Sequence, residues 1–134
     1  MNSINRIVKT QLTAQLFKKK VILLIGARQI GKTTLLKEIA AEQPENSLWL
    51  NADEGDINIQ LQNAITSTQL KQLFGKATFI VIDEAQQIES IGLKLKLVID
   101  TYPELQVVAT GSSAFELLQK SNEPLTGRKK EFFL

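Results

Sequence analysis

The hydrophobic positions of this chain follow two alternating rhythms. From Ile4 to Phe17 the apolar residues Ile4, Ile7, Val8, Leu12 and Leu16 return at helical spacing. That predicts an amphipathic helix, ended by Lys18, Lys19 and Lys20. Val21 to Ile25 is then an unbroken run of β-branched residues and leucine, the pattern of a strand buried on both faces. Beyond the loop Gly26 to Gly31, a helix from Lys32 to about Glu42 presents Leu35, Leu36 and Ile39 inward. Pro44 and Asn46 break the chain before a short strand, Leu48 to Asn51. The acidic turn Asp53-Glu54-Gly55-Asp56 can cap one weak helical stretch through Leu61, Ala64, Ile65 and Leu73, closed by Gly75.

Thr78 to Ile82 is the cleanest strand, followed by a helix from about Ile88 to Thr101 with Pro103 past its end. Gln106 to Thr110 is a fourth strand. Ser113-Ala114-Phe115-Glu116 has the capping-box pattern of a short helix reaching Lys120. After Pro124 and Gly127, Glu131 to Leu134 begins a fifth strand. Strands and helices alternate and the strands are apolar, so the fold class is α/β, with a parallel sheet covered on both faces.

Composition narrows the chemistry. A length of 134 residues fits one domain. The absence of cysteine removes disulfides and thiolate metal sites. The absence of histidine removes Ser-His-Asp catalysis and His-ligated zinc. A net charge of +2 does not by itself imply nucleic acid or a membrane surface. The longest apolar run falls far short of the ~20 residues of a membrane span, and no secretory signal opens the chain, so a cytoplasmic protein is expected. The sequence stops inside an apolar strand, which suggests that residues 1–134 are a core cut from a longer protein.

Two segments carry chemistry. Gly26-Ala27-Arg28-Gln29-Ile30-Gly31-Lys32-Thr33 matches G-x-x-x-x-G-K-[ST] between a buried strand and a helix. Glycines let successive N–H groups turn inward around an anion, and the helix adds about half a positive charge at its start. Lys32 would then reach the β- and γ-phosphates, and the Thr33 hydroxyl would ligate Mg²⁺. The second segment, Phe79-Ile80-Val81-Ile82-Asp83-Glu84, ends a strand in two carboxylates. In a parallel sheet they open on the same rim as the glycine loop. Asp83 is expected to hold Mg²⁺ largely through water, and Glu84 to deprotonate the attacking water.

With these motifs placed, the chain resembles the AAA+ superfamily. It is most similar to a prokaryotic AAA-type ATPase family whose loop reads G-x-R-Q-x-G-K-T-T-L, here Gly26 to Leu35. The family's further motifs match Asp83-Glu84-Ala85-Gln86, Thr110-Gly111-Ser112-Ser113 and Leu125-Thr126-Gly127-Arg128. The resemblance implies a three-layer P-loop NTPase with a mostly parallel five-stranded sheet of order 5-1-4-3-2. It also implies ATP binding and Mg²⁺-dependent hydrolysis, with Lys32, Glu84 and Arg128 catalytic. Gly26, Ala27, Arg28, Gln29, Ile30, Gly31, Lys32, Thr33 and Thr34 would line the nucleotide. Thr110 or Ser112 would read the γ-phosphate, and Arg128 would act as an arginine finger or sensor, or simply belong to a solvated basic turn. Members of the family continue into a C-terminal domain, which would be a partner of this core. Many AAA+ relatives form rings, which would make this chain a homo-oligomer, while others act as monomers gated by attached domains.

Three alternatives stay open. One is a nucleotide-dependent switch with negligible turnover. Another is a helicase-like motor, although Ala109-Thr110-Gly111-Ser112 differs from the Ser-Ala-Thr-like motif such enzymes need. The third is a nucleic-acid binder using Lys18, Lys19, Lys20, Lys129 and Lys130, which has few aromatic residues for base stacking.

Overall fold

The computed structural model describes residues 3–26, 30–43, 46–112 and 124–134. The apolar runs become five strands: β1 (Val21–Ile25), β2 (Ser47–Asn51), β3 (Phe79–Asp83), β4 (Gln106–Gly111) and β5 (Lys129–Phe133). They lie in the order β2-β3-β4-β1-β5, and all four pairings are parallel. This is the expected order 5-1-4-3-2, counted from the other edge. Hydrophobicity sorts the strands: β1 and β4 are buried throughout and β3 nearly so, while the more polar β2 and β5 take the edges.

The pleat divides the core. Val21, Leu23 and Ile25 join Ile80, Ile82, Val107 and Ala109 beneath α3 (Gly55–Asn63), α4 (Ser67–Phe74) and α5 (Ile91–Thr101). Ile22, Leu24, Val81 and Val108 face the other way, onto Val8 and Leu12 of α1 (Ser3–Ala14) and Leu35, Leu36 and Ile39 of α2 (Ile30–Ala41). Successive side chains alternate between faces, so a run without polar residues feeds both layers. Among the described residues, no helix is long and apolar enough to cross a membrane.

Several boundaries differ from expectation. The stretch between the acidic turn and Gly75 is two helices, broken at Ala64–Thr66. Thr66 Oγ1 accepts from the Gln69 amide at 3.1 Å while Gln69 Oε1 accepts from the Thr66 amide, a capping box that starts α4 afresh. The acidic turn supplies Glu54 as the residue before α3, but the Glu54 side chain makes no capping hydrogen bond. Instead Asn51 Oδ1 accepts from the Asp53 amide at 3.0 Å and shapes the turn. The helix expected from Ile88 begins at Ile91, after a 3-10 turn at Ala85–Gln87. Helix α2 starts two residues earlier than expected, and β5 starts at Lys129. The short helix expected over 113–120 lies outside the described residues.

Two buried polar side chains fasten the loops. Lys94 of α5 donates to Gln62 O at 3.2 Å and Ala64 O at 2.6 Å, tying down the carbonyl end of α3 where the chain breaks. A cation is favourable at such a helix end, although burial lowers the Lys94 pKa. At the amino ends of the strands, fully buried Gln106 takes the Phe17 amide on Oε1 at 2.7 Å and gives Nε2 to Lys20 O at 3.1 Å. The turn it holds contains Phe17 and Lys19, both with positive φ (56° and 62°), so it is a conformation that needs support. Replacing Gln106 with Leu should cost about 1–3 kcal/mol in a denaturant titration, because the buried ends of two hydrogen bonds lose their partners. Nucleotide affinity should be unchanged, since this clamp sits at the rim away from Gly26.

Candidate functional site at the carboxyl rim of the sheet

The carboxyl ends of β1 and β3 flank that of β4, so Gly26, Asp83 and Gly111 emerge on one rim. Gly26 is fastened on both sides. Its amide donates to Gly111 O at 3.0 Å, and the neighbouring Leu134 amide donates to Ile25 O at 2.9 Å. A Cβ on Gly26 would stand 2.5 Å from the Leu134 carbonyl oxygen, so the end of β5 leaves room only for glycine. Ala27, Arg28 and Gln29 lie outside the described residues, and Ile30 is described by its backbone alone. From Ile30 the chain is helical, so Gly31, Lys32 and Thr33 stand in the first turn of α2, where free N–H groups and the helix dipole favour an anion.

Lys32 is almost wholly buried, at 3% exposure. Its ammonium donates to Gly26 O at 3.0 Å and Gly111 O at 3.3 Å, joining the ends of β1 and β4. It also lies 3.9 Å from Glu84 Oε1, which brings the two sequence motifs into contact.

The acidic pair is held by β4. Thr110, fully buried, donates its hydroxyl to Asp83 Oδ1 at 2.5 Å and accepts from the Glu84 amide at 3.1 Å. Glu84 has left-handed backbone angles, φ 55° and ψ 45°. For a residue other than glycine this costs about 1–2 kcal/mol. The conformation turns the chain sharply out of β3, so Asp83 ends the strand half-buried while Glu84 points back under the rim, 8% exposed. Gln86 Nε2 donates to Glu84 Oε2 at 2.7 Å.

The expected site residues therefore separate into groups. Gly26, Gly31, Lys32, Thr33, Asp83, Glu84, Thr110 and Ser112 come together on this rim, with Thr33 and Ser112 half-buried. Thr34 is exposed on the first turn of α2. Thr110 spends its hydrogen-bonding capacity on Asp83 and Glu84, so of the two candidates for contacting phosphate Ser112 is the better placed. Arg128 is not brought to the site. It precedes β5 at the amino rim, where its carbonyl accepts from Val21 N at 2.9 Å and its Nε donates to Asp100 Oδ1 at 2.7 Å. The length of β1, about 16 Å, separates it from Gly26. The solvated basic turn is the alternative this geometry favours. Gly111 and Gln86 were not singled out as site residues; the D-E-A-Q spacing carried the only hint of Gln86.

Among the described residues no cluster of three or more acidic side chains gathers that could hold a metal alone. One aspartate and one threonine hydroxyl are the donor set with which Mg²⁺ is held jointly with phosphate oxygens and water, so the residues fit that ion.

Comparison with known proteins agrees with this geometry. The chain is 35% identical over 111 residues to the uncharacterised protein MJ1637 of Methanocaldococcus jannaschii, covering 75% of this chain and 23% of that protein. It is 29% identical over 123 residues to the uncharacterised protein Rv2008c of Mycobacterium tuberculosis, covering 88% and 25%. The chain thus spans about a quarter of the length of these curated relatives. Among solved structures, a DNA replication initiation factor superposes with a TM-score of 0.64 at 16% identity, covering 98% of this chain and 47% of that one. A primosome component, described as putative, from Streptococcus pyogenes superposes at 0.62 and 19%, covering 99% and 81%. At such identities these two establish the fold. Residues 18–134 match the sequence model of AAA_14, an AAA domain, and the chain belongs to this family of P-loop AAA-type ATPase domains.

Proposed function

We propose that this chain binds ATP together with Mg²⁺ at the carboxyl rim and hydrolyses it. The observation that carries the proposal is the meeting of Lys32 and Glu84 at 3.9 Å, beneath a helix start and beside the half-buried Asp83. In this mechanism the backbone amides from Gly26 into α2 and the Lys32 ammonium hold the polyphosphate. Lys32 exchanges its carbonyl partners for phosphate oxygens, a stronger, charge-assisted interaction. Asp83 and the Thr33 hydroxyl hold Mg²⁺, which neutralises charge on the phosphate oxygens when bound. Glu84 takes the proton from the attacking water, and Thr110 keeps both acids in register with β4. Ser112 contacts the γ-phosphate. Ala27, Arg28, Gln29 and Ile30 would line the nucleotide, as the resemblance of the Gly26–Thr33 segment to a phosphate loop implies.

The left-handed backbone at Glu84 is compatible with a carboxylate held in a fixed direction, as hydrolysis requires. The curated relatives are about four times as long as the matched segment, in keeping with an attached C-terminal domain as the partner that responds to nucleotide. DNA is a second partner to assay, given the replication factors that share the fold. The exposed lysines argue only weakly for it, since Lys129 pairs with Glu131 at 3.3 Å and Arg128 with Asp100. A cytoplasmic location and a homo-oligomer are both compatible with the proposal.

Lys32→Ala should weaken nucleotide binding about 10–100-fold in calorimetry, the loss expected for a charge-assisted contact. Wild-type affinity in that variant would remove the phosphate-loop role. Glu84→Gln in the full-length protein should keep its affinity for Mg·ATP while kcat falls about 10²–10⁴-fold. Undiminished turnover would place the base elsewhere.

A further inference from the structure

The orientation of the Glu84 carboxylate needs a cause. The terminal torsion of a glutamate is broad, so the residue alone does not aim its two oxygens. Thr110 fixes the Glu84 backbone but makes its side-chain contact with Asp83. Lys32 stands at 3.9 Å from Oε1, too long for a directional hydrogen bond. Gln86 Nε2 donates to Oε2 at 2.7 Å, a short directional contact to the carboxylate.

Gln86 is itself held in place. It sits in the 3-10 turn between Ala85 and Ile88, both fully buried, and the turn is closed by Gln87 N to Glu84 O and Ile88 N to Ala85 O, each 3.1 Å. Its other amide atom, Oε1, is buried and finds no donor among the described residues. A buried acceptor left without a partner works against stability, so packing alone does not account for an amide here. The same amide does hold one carboxylate oxygen while the other faces the Lys32 ammonium.

We infer that Gln86 is a positioning residue for hydrolysis: by binding Glu84 Oε2 it sets the carboxylate plane so that the other oxygen is presented to the attacking water. The inference rests on Glu84 being the base. It predicts that removing the donor while keeping the shape slows the chemical step and leaves nucleotide binding intact.

The test compares Gln86→Met, Gln86→Glu and Glu84→Gln in the full-length protein with Mg·ATP, measuring kcat, nucleotide affinity and melting temperature. Gln86→Met, which retains bulk but has no N–H, should lower kcat about 10–100-fold with affinity within twofold of wild type. Gln86→Glu, which sets a like charge against Glu84, should be at least as slow. If Gln86→Met turns over at the wild-type rate while Glu84→Gln is inactive, the positioning role is overturned and the base assignment stands. If Glu84→Gln keeps its turnover, the base assignment fails and this inference with it. If Gln86→Met loses affinity or melting temperature in proportion to its rate, Gln86 is merely structural and the inference is likewise overturned.

Discussion

Because β4 lies between β1 and β3, the loop that follows the first strand and the acids that end the third are kept about 10 Å apart, two strand spacings. Neither motif can reach the other along its own backbone. The interval is closed from β4: Gly111 offers its carbonyl to Lys32, and Thr110 bridges Asp83 to the Glu84 amide. The site is thus assembled on three strands whose register is set by parallel ladders, with Ile25 beside Gly111 and Ile82 beside Ala109. A slip of one residue in any of them would turn the inward side chains outward, so the hydrophobic core and the chemical site are specified by the same constraint.

That dependence explains how the charged groups tolerate burial. Lys32 and Glu84 are both nearly inaccessible, and isolated charges in such places are costly. Lys32 is hydrogen-bonded to two strand-end carbonyls and has an acid nearby; Glu84 has an amide donor and the lysine. These contacts come from strand ends and a tight turn, which do not shift without disturbing the sheet. The rim is therefore rigid on the acidic side, while the lysine has partners it can exchange.

Much of this was legible in the sequence, and the exceptions are physical. Val21–Ile25 and Phe79–Ile82 announce themselves because strands buried on both faces tolerate no polar residue. The phosphate loop and the acidic pair are local patterns, and the topology that joins them follows from alternating strands and helices. The break at Ala64–Thr66 was also locally encoded, in Thr66-Ser67-Thr68-Gln69, but the continuing apolar spacing masked it. The late start of α5 reflects two left-handed residues, Glu84 and Ser90, neither of them glycine. Gln106 and Lys94 could not be read as clamps, since their partners lie up to 89 residues away in the chain. For Arg128 the sequence left a finger and a solvated basic turn open, and strand pairing fixes its place beside the first residue of β1, away from the rim that carries Gly26.

The single tryptophan gives one of these elements an optical signature. Trp49 sits half-buried on edge strand β2, and the Lys37 ammonium lies 5.9 Å from its ring centroid. Lys37 rides on α2, the helix whose first turn carries Lys32 and Thr33. A cation over an indole face is sensitive to small changes in separation. The indole lies on the face of the sheet opposite α5, so it is a probe of how α2 packs against edge strand β2.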